Sequence, residues 1–380
     1  MKILAADDQP LILRSIGNAL KTSGYEIIYA QNGELAISMY DQHSPDLVIV
    51  DLNMPVMSGF DVIEHVRKIK NDQTPIIVMT ANDEEKTVLD AFYLGVDDYI
   101  EKPVGVREVL VRVNRLLKQP LIKLEKDNEY SVEKILQNKC VGVVIPCYNE
   151  EKRLSGKEFT DFVERNHGYH FCFVNDGSKD KTLDLLNSLK NGREETISVF
   201  NCAVNGGKAE AVRQGILYLA SDVQFDYIGY LDADLSTNFD DFNDLMKTLD
   251  SSQFKIVSGS RISRMGADIT KASARQIISK AINLIIRMIL GMSFQDTQCG
   301  AKIMTREIAE NMFNEKFVTR WIFDVEIFLR MKKFYGKENV QKYICEQPLK
   351  RWIHADGSKL SMKDSVKIIG QLGKIFLHYR

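Results

Sequence analysis

Carboxylates recur where the apolar runs of this 380-residue chain stop. Asp7 and Asp8 follow ILAA, Asp51 closes DLVIV, Asp176 closes HFCFVN, and Asp232 and Asp234 follow FDYIGYL. Thr80 and Lys102 end two further runs, PIIVMT and DDYIE. Three acids gathered at one edge repel each other and tolerate that crowding best around a divalent cation, and an all-oxygen donor set suits Mg²⁺. An Asp-x-Asp pair at a turn can face one metal ion whose other ligands are diphosphate oxygens. Such an ion neutralises the charge that grows on a nucleoside-diphosphate leaving group. Taken singly, each of these residues is more often a cap or turn residue. Their repetition in order is what points to chemistry.

The elements that must hold them follow from periodicity. In the first part, apolar runs at 3–6, 26–30, 46–52, 75–80 and 97–102 alternate with stretches of helical period such as LILRSIGNAL and FDVIEHVRKI. Five strands alternating with helices predict a parallel, doubly wound sheet, whose ligands sit at the carboxyl ends of the strands. Residues 119–139, QPLIKLEKDNEYSVEKILQNK, shift to a charged, proline-led composition without a strand pattern. Beyond them, 141–151, 170–180, 197–216 and 225–236 each begin as an apolar strand and end in a polar turn. We therefore expect an α/β chain with one domain over 1–119, a linker over 120–139, a second domain over 140–365 and a basic amphipathic helix over 366–380.

Composition agrees with two globular cores, since 44% of residues are hydrophobic and 27% charged. A net charge of −2 gives no global field toward nucleic acid or lipid. The balance is uneven, with 12 basic and 18 acidic residues in 1–120 against 38 and 34 in 121–380. That second excess is spread along the chain and no basic recognition helix is visible, so no nucleic-acid partner is expected. The opening MKILAADDQP reads as neither a signal nor a transit peptide, and six cysteines without paired spacing read as reduced thiols of a cytoplasmic protein.

Over residues 1–119 the ordered set Asp7-Asp8, Asp51 in VDLNMPVMSG, Thr80-Ala81 and Lys102-Pro103 resembles the receiver domain of response regulators, a five-stranded flavodoxin-like fold. The resemblance implies that Asp51 accepts a phosphoryl group from a cognate histidine kinase. It further implies that Asp7, Asp8, Asp51 and the Asn53 carbonyl form an acid pocket for Mg²⁺, that Lys102 pairs with the phosphoryl oxygens, and that Thr80 and Tyr99 move as a switch. The Lys-Pro step fits the cis peptide bond of that family.

From residue 140 to about 365, Pro-x-Tyr-Asn-Glu, Asp-Gly-Ser, Asn-x-Gly-Lys and Asp-Ala-Asp, each after a strand, resemble the family 2 glycosyltransferases of the Rossmann-like GT-A fold. The segments Gly259-Ser260-Arg261, DTQCGAK (296–302), RWIFDVE (320–326) and GSK (357–359) look like the dolichyl-phosphate glucosyltransferase and mannosyltransferase group, closest to the glucose branch. By that resemblance Pro146, Tyr148 and Asp176 line the base and ribose pocket, with Glu150 just beyond. Lys208 contacts the diphosphate side, and Asp232 and Asp234 hold Mg²⁺ or Mn²⁺. Arg261, Arg275 and Lys359 grip the acceptor's phosphate, because a basic fork suits a phosphoryl group. Asp296, Lys302, Asp324 and Glu326 complete the list of active-site candidates. Two positions depart from the family pattern: Asn175 stands where an acid is usual before Asp176, and Ala301 where the eukaryotic group tends to have Phe.

The expected reaction moves a hexose, glucose from UDP-glucose, onto a polyprenyl phosphate with inversion, under control of Asp51 phosphorylation. A lipid phosphate is already ionised at neutral pH, so it needs positioning and charge shielding more than a general base. No run is long and uncharged enough to span a bilayer. The segment 277–294 carries Lys280 and Arg287 seven apart, and the last twenty residues carry Lys363, Lys367, Lys374 and Arg380 among Ile, Leu and Phe. Both patterns suit helices lying on the inner face of the membrane; the alternatives are an ordinary core helix or a homodimer interface for the first and a homodimer interface for the second. Two functional alternatives stand beside the transferase: a sensor that only binds a nucleotide sugar, and a transferase acting on a soluble or polysaccharide acceptor.

Overall fold

The computed structural model describes residues 1–81, 85–119, 135–222, 224–261, 268–269, 273–352 and 362–380. Chain contacts divide it into two compact units, Met1–Cys140 with Asp161–Tyr169, and Val141–Thr160 with His170–Arg380.

The first unit is built on strands β1 (Lys2–Ala6), β2 (Glu26–Ala30), β3 (Leu47–Val50), β4 (Ile76–Thr80) and β5 (Asp98–Glu101), joined by helices α1 (Pro10–Thr22), α2 (Gly33–His43), α3 (Gly59–Glu64) and α4 (Glu85–Tyr93). Their order is β2-β1-β3-β4-β5, and every pairing is parallel. β3 reads LVIV and is buried on both faces, as a central strand covered by helices on each side must be. α3 starts with a Ser58–Asp61 capping box and ends in a π-turn over His65–Ile69. A short strand β6 (Val104–Gly105) precedes α5 (Val106–Leu116).

Residues 135–139, expected as linker, instead open a long strand, β7 (Ile135–Cys147), and Leu136 and Ile135 pair with Val104 and Gly105 of β6. Gln137, Asn138 and Lys139 hide the strand from an apolar-pattern reading. Backbone pairing in the first unit stabilises it instead. Of the linker itself, 120–134 lie outside the described residues.

After β7 come α6 (Gly156–Arg165) and β8 (Asn166–Asp176), each divided between the units, and the second unit then adds α7 (Thr182–Lys190), β9 (Ile197–Cys202), α8 (Lys208–Ala220), β10 (Tyr227–Leu231), α9 (Phe239–Asp250), β11 (Ile256–Ser260), β12 (Asp268–Ile269) and α10 (Ser273–Leu290). It continues with β13 (Ala301–Thr305), α11 (Arg306–Phe313), α12 (Phe323–Tyr335), β14 (Ile344–Pro348), β15 (Arg351–Trp352) and α13 (Met362–Tyr379). The sheet runs β14-β11-β13-β10-β7-β8-β9 and is mixed, because β13 lies antiparallel to both β10 and β11. Tyr230 of β10 pairs with Val144 of β7, so Asp232 and Pro146 lie at the same edge of the sheet. Helix α8 sits close against the sheet at Gly215, where a Cβ would press into Val144 and Val174. Among the described residues, no helix is long and apolar enough to cross a membrane.

Candidate active site

At the carboxyl edge of the first sheet, Asp7, Asp51 and Lys102 are all buried, with Lys102 only 2% exposed. Lys102 Nζ lies 2.5 Å from Asp7 Oδ2 and 2.9 Å from Asp51 Oδ2. The other carboxylate oxygens accept from backbone amides, Asp7 Oδ1 from Gln9 N at 2.9 Å and Asp51 Oδ1 from Asn53 N at 3.0 Å. Asp8, next in sequence, is exposed. Gly59 follows Asp51 so closely in space that a Cβ there would overlap the Asp51 carbonyl, which explains a glycine in VMSG. Burial pushes the Asp7 carboxyl above its ordinary range; Lys102 opposes that and Asp51 adds to it. For Lys102, burial acts downward, but Asp7 and Asp51 outweigh it and hold the ammonium above its ordinary value. One lysine therefore leaves part of the acid charge uncompensated, and an oxygen-rich pocket of that kind fits Mg²⁺. Thr80 is buried, its carbonyl accepts from Lys102 N at 2.9 Å and its hydroxyl from Asn53 Nδ2 at 3.4 Å. Tyr99 packs half-buried on the core, and the Lys102–Pro103 bond is cis.

In the second unit Asp176 ends β8 opposite Cys202, facing the loop before α8. Its Oδ1 accepts from Gly206 N at 2.7 Å, and its Oδ2 from Gly207 N and the Asn205 side chain, both at 2.9 Å. Three of roughly four acceptor positions on the carboxylate are thus filled within the chain, leaving one lone-pair direction for a donor from outside. Burial raises the Asp176 carboxyl, while the Gly206 and Gly207 amides and Arg320 pull it down; burial prevails. Gly207 has φ +87°, a backbone state that favours glycine, and directly precedes Lys208, the first residue of α8. Pro146, near the end of β7, and Tyr148, on the loop after it, are half-buried. That loop is stitched to the Ser178 turn by Asn149 N to Ser178 Oγ, 3.0 Å, and by Glu150 N to Thr182 Oγ1, 2.8 Å.

Lys208 Nζ reaches Asp232 Oδ1 at 2.5 Å. Burial draws the Lys208 pKa down, but the carboxylates of Asp232, Asp324 and Asp234 together raise it above its ordinary value. The Asp-Ala-Asp segment is a tight turn, with Leu235 N bonded to Asp232 O at 3.2 Å and Ser236 N to Asp234 Oδ1 at 3.0 Å. Asp232 is also tied through its amide to Gly300 O at 3.1 Å. A Cβ on Gly300 would overlap the Asp232 carboxylate, so the glycine of DTQCG is the cradle for that side chain. Two adjacent carboxylates with one lysine fit a divalent ion completed by substrate oxygens. Among the described residues no group of three His, Cys, Asp or Glu side chains gathers into a metal site made by protein alone.

Comparison with known proteins finds a family for each half of the chain. The family model for the response regulator receiver domain matches residues 3–114, and that for glycosyl transferase family 2 matches residues 142–313. A dolichyl-phosphate beta-glucosyltransferase of Trichomonas vaginalis is 32% identical over 253 residues, covering 63% of this chain and 74% of that protein. One from Dictyostelium discoideum is 28% identical over 279 residues, covering 68% and 82%. The alkaline phosphatase synthesis transcriptional regulatory protein PhoP of Bacillus subtilis is 37% identical over 118 residues, covering 31% of this chain and 49% of that protein.

The chain belongs to glycosyl transferase family 2. It is a glycosyltransferase that carries a response regulator receiver domain.

Within the transferase, several expected site residues turn out to serve one another. Lys302 is fully buried, and its three donors go to Asp324 Oδ1 at 2.6 Å, Cys299 O at 2.8 Å and Thr297 O at 3.0 Å. Tyr230 also donates to Asp324 Oδ1, at 2.5 Å. Lys302 is therefore a strut under the DTQCG loop, and an ammonium with three bonds made has none to give a substrate. Glu326, also fully buried, accepts from Val318 N, Thr319 N, Thr319 Oγ1 and Tyr379 Oη at 2.7–3.2 Å. It organises the 316–320 loop from behind and does not face the site. Arg261 and Asp296, expected in separate tasks, form a bidentate pair with both contacts at 2.7 Å. Burial acts to raise the Asp296 carboxyl, but Arg261 overrides it and holds the pKa at about 2. Lys359 lies outside the described residues, and for Arg275 only its place in α10 is described.

Four participants were given no role from the sequence, although Asn205, Gly300 and Arg320 each lie in a motif recognised there. Asn205, Gly300 and Tyr230 act through contacts that join distant segments. Arg320 opens the RWIFDVE motif; its carbonyl accepts from Ala209 N at 3.0 Å and its Nη2 reaches Asn205 O at 3.4 Å. The Arg-Trp step directly before α12 was the available signal. All six cysteines are free thiols.

Proposed function

We propose that the transferase moves a hexose, glucose from UDP-glucose, onto a polyprenyl phosphate with inversion at the anomeric carbon, and that phosphorylation of Asp51 controls it. The observation that carries the reading is the convergence at one sheet edge of the Asp176 cradle, Lys208 on Asp232, and the Asp232-Ala233-Asp234 turn. The names of the relatives in both glucosyltransferase matches supply the sugar and the acceptor class.

In this mechanism Asp176 holds the Asn205–Gly207 loop in shape and offers its remaining lone pair to a ring N–H of the base. Lys208 shields the diphosphate as negative charge grows on it. Asp232 and Asp234 would hold Mg²⁺ or Mn²⁺, which when bound neutralises the departing diphosphate. The acceptor phosphate attacks as an anion, so the protein's task is alignment and exclusion of water. In the receiver, Asp51 takes the phosphoryl group, Asp7, Asp8 and the Asn53 carbonyl would hold Mg²⁺, and Lys102 exchanges its Asp51 contact for a phosphoryl oxygen. The donor of that phosphoryl group is a histidine kinase.

A membrane-surface location is supported by α13, where Ile369, Phe376 and Leu377 are exposed beside exposed Lys367, Lys374 and Arg380, and by exposed Leu284 and Met288 on α10. Apolar side chains flanked by cations suit an anionic bilayer surface.

The test incubates the full chain with Mg²⁺ or Mn²⁺, a pool of UDP- and GDP-sugars and a polyprenyl phosphate, followed by mass spectrometry of the organic extract. A glycosyl-phospholipid made by the wild type and absent with Asp232→Ala is expected. Donor binding without a lipid product would overturn the acceptor and favour the sensor reading.

A further inference from the structure

Beside the Asp232-Ala233-Asp234 turn the second unit contains a cavity of about 120 Å³, lined by Glu158, Leu235, Ser236, Asn238, Phe239 and Arg351. None of these residues drew attention in the sequence. The space is enough for several water molecules, and so for one small polar ring. It borders the turn directly, since Ser236 N is the group bonded to Asp234 Oδ1. Leu235 holds φ +50°, a conformation that non-glycine residues rarely adopt and that tends to persist at working sites.

We infer that this cavity receives the hexose of the donor, with Glu158 and Arg351 choosing among sugars by their hydrogen bonds to its hydroxyls. The inference rests on the reading above that the donor is a nucleotide hexose. Three features select a neutral polyol over the acceptor's phosphate. First, the cavity holds one carboxylate and one guanidinium, so its charges cancel, and a phosphate placed there would meet Glu158 at close range. Second, the polar groups include both donors and acceptors: Glu158 accepts, Arg351 donates, and Ser236 and Asn238 can add a hydroxyl and an amide. Third, one wall is an aromatic ring. Phe239 is stacked on Phe171 at 5.5 Å and set edge-on to Phe159 at 5.3 Å, which leaves a fixed apolar surface for the C–H face of a sugar.

Both charged residues stand on anchored backbone. The amides of Lys350 and Arg351 donate to the two oxygens of buried Asp241 at 2.8 and 3.0 Å. The Arg351 backbone also lies in register with Asp268 where β12 and β15 pair. Glu158 is oriented through Ser155 Oγ at 2.9 Å. Among the described residues, no ion pair joins Glu158 to Arg351, although the two share one cavity. Two other cations at this edge are committed elsewhere, Lys208 to Asp232 and Arg261 to Asp296. Arg351 is the one cation among the described residues that line the cavity.

The experiment measures binding of UDP and of UDP-glucose by calorimetry, with GDP and GDP-glucose in parallel, to the full chain and to Glu158→Gln, Arg351→Met and Arg351→Lys. Turnover of UDP-glucose against UDP-galactose is followed on the same proteins. The expected result is a nucleotide affinity within twofold of wild type, while the preference for glucose over galactose in kcat/KM falls at least tenfold in Glu158→Gln and Arg351→Met. Arg351→Lys is expected to fall between them and the wild type. Unchanged sugar discrimination in both variants overturns the inference. So does a parallel loss of UDP and UDP-glucose binding, which would place the cavity under the nucleotide. A wild-type chain that binds no nucleotide or nucleotide sugar would overturn the underlying reading, and is distinguished by the wild-type titration alone.

Discussion

Replacing Lys302 by Met tests whether its ammonium is the strut that holds the DTQCG loop on Asp324. The ammonium makes three hydrogen bonds in a fully buried setting, one to the Asp324 carboxylate and two to the Thr297 and Cys299 carbonyls. Removing one partner of a buried ion pair costs about 3–5 kcal/mol, because the other charge stays behind without compensation. Two carbonyls that lose a donor push toward the upper end of that range, and the hydrogen bond that Tyr230 still makes to Asp324 pulls toward the lower. We expect a loss of about 4 kcal/mol, a large share of the ~5–15 kcal/mol that stabilises a folded domain. The two tryptophans, Trp321 and Trp352, both lie in the second unit, so their fluorescence during urea unfolding reports on that unit. With an m-value of about 3 kcal/mol/M the midpoint falls by about 1.3 M. Adding Asp324→Asn removes the stranded charge and is expected to recover about 1–2 kcal/mol, since residues in one network do not add. A loss below about 1 kcal/mol would refute the reasoning. So would normal stability with transfer abolished, which would make Lys302 a group that touches substrate.

Gly300→Ala is expected to leave the fold intact by circular dichroism and to lower transfer about 100-fold, because a Cβ would displace the Asp232 carboxylate and displacements near 1 Å cost about that much. For Asp296, a folded pKa of about 2 against an ordinary 3.8 means a contribution of about 2 kcal/mol that is complete above pH ~4 and is lost as pH falls through about 2. Acid titration of the tryptophan signal should show that loss in the wild type and not in Asp296→Asn. Asp7 has the opposite sign: its raised pKa destabilises the folded receiver as pH rises, so Asp7→Asn should slow hydrogen exchange of β1 and β3 at pH 7. Mg²⁺ should do the same for the wild type and have little effect on the variant. Asp51→Asn should abolish formation of an aspartyl phosphate from a small phosphodonor, read by intact mass, and a retained adduct would move the acceptor to another residue.

How much was available from the sequence differs between the two halves. In the first, each catalytic candidate closes its own strand or the loop after it, and a parallel sheet delivers all strand ends to one edge. Asp7, Asp51, Thr80 and Lys102 therefore had to meet once five strands were recognised. Asp232, Asp234, Asp176 and Lys208 were reachable by the same rule.

Tertiary structure alone decided the division of labour among the remaining charged residues. Lys302 and Arg261 look alike in sequence as conspicuous basic residues near a site. Yet one saturates its donors on Asp324 and two carbonyls, and the other locks onto Asp296. Glu326 sits two residues after Asp324 in a helix, and that spacing turns its carboxylate toward the 316–320 loop. The cavity walled by Glu158 and Arg351 draws on α6, on the turn after β10 and on β15, segments nearly two hundred residues apart in the chain. Strand-end position is a local property and can be read from period and punctuation. The partner of a buried charge is set by how helices and loops close over the sheet, and no short-range pattern encodes it.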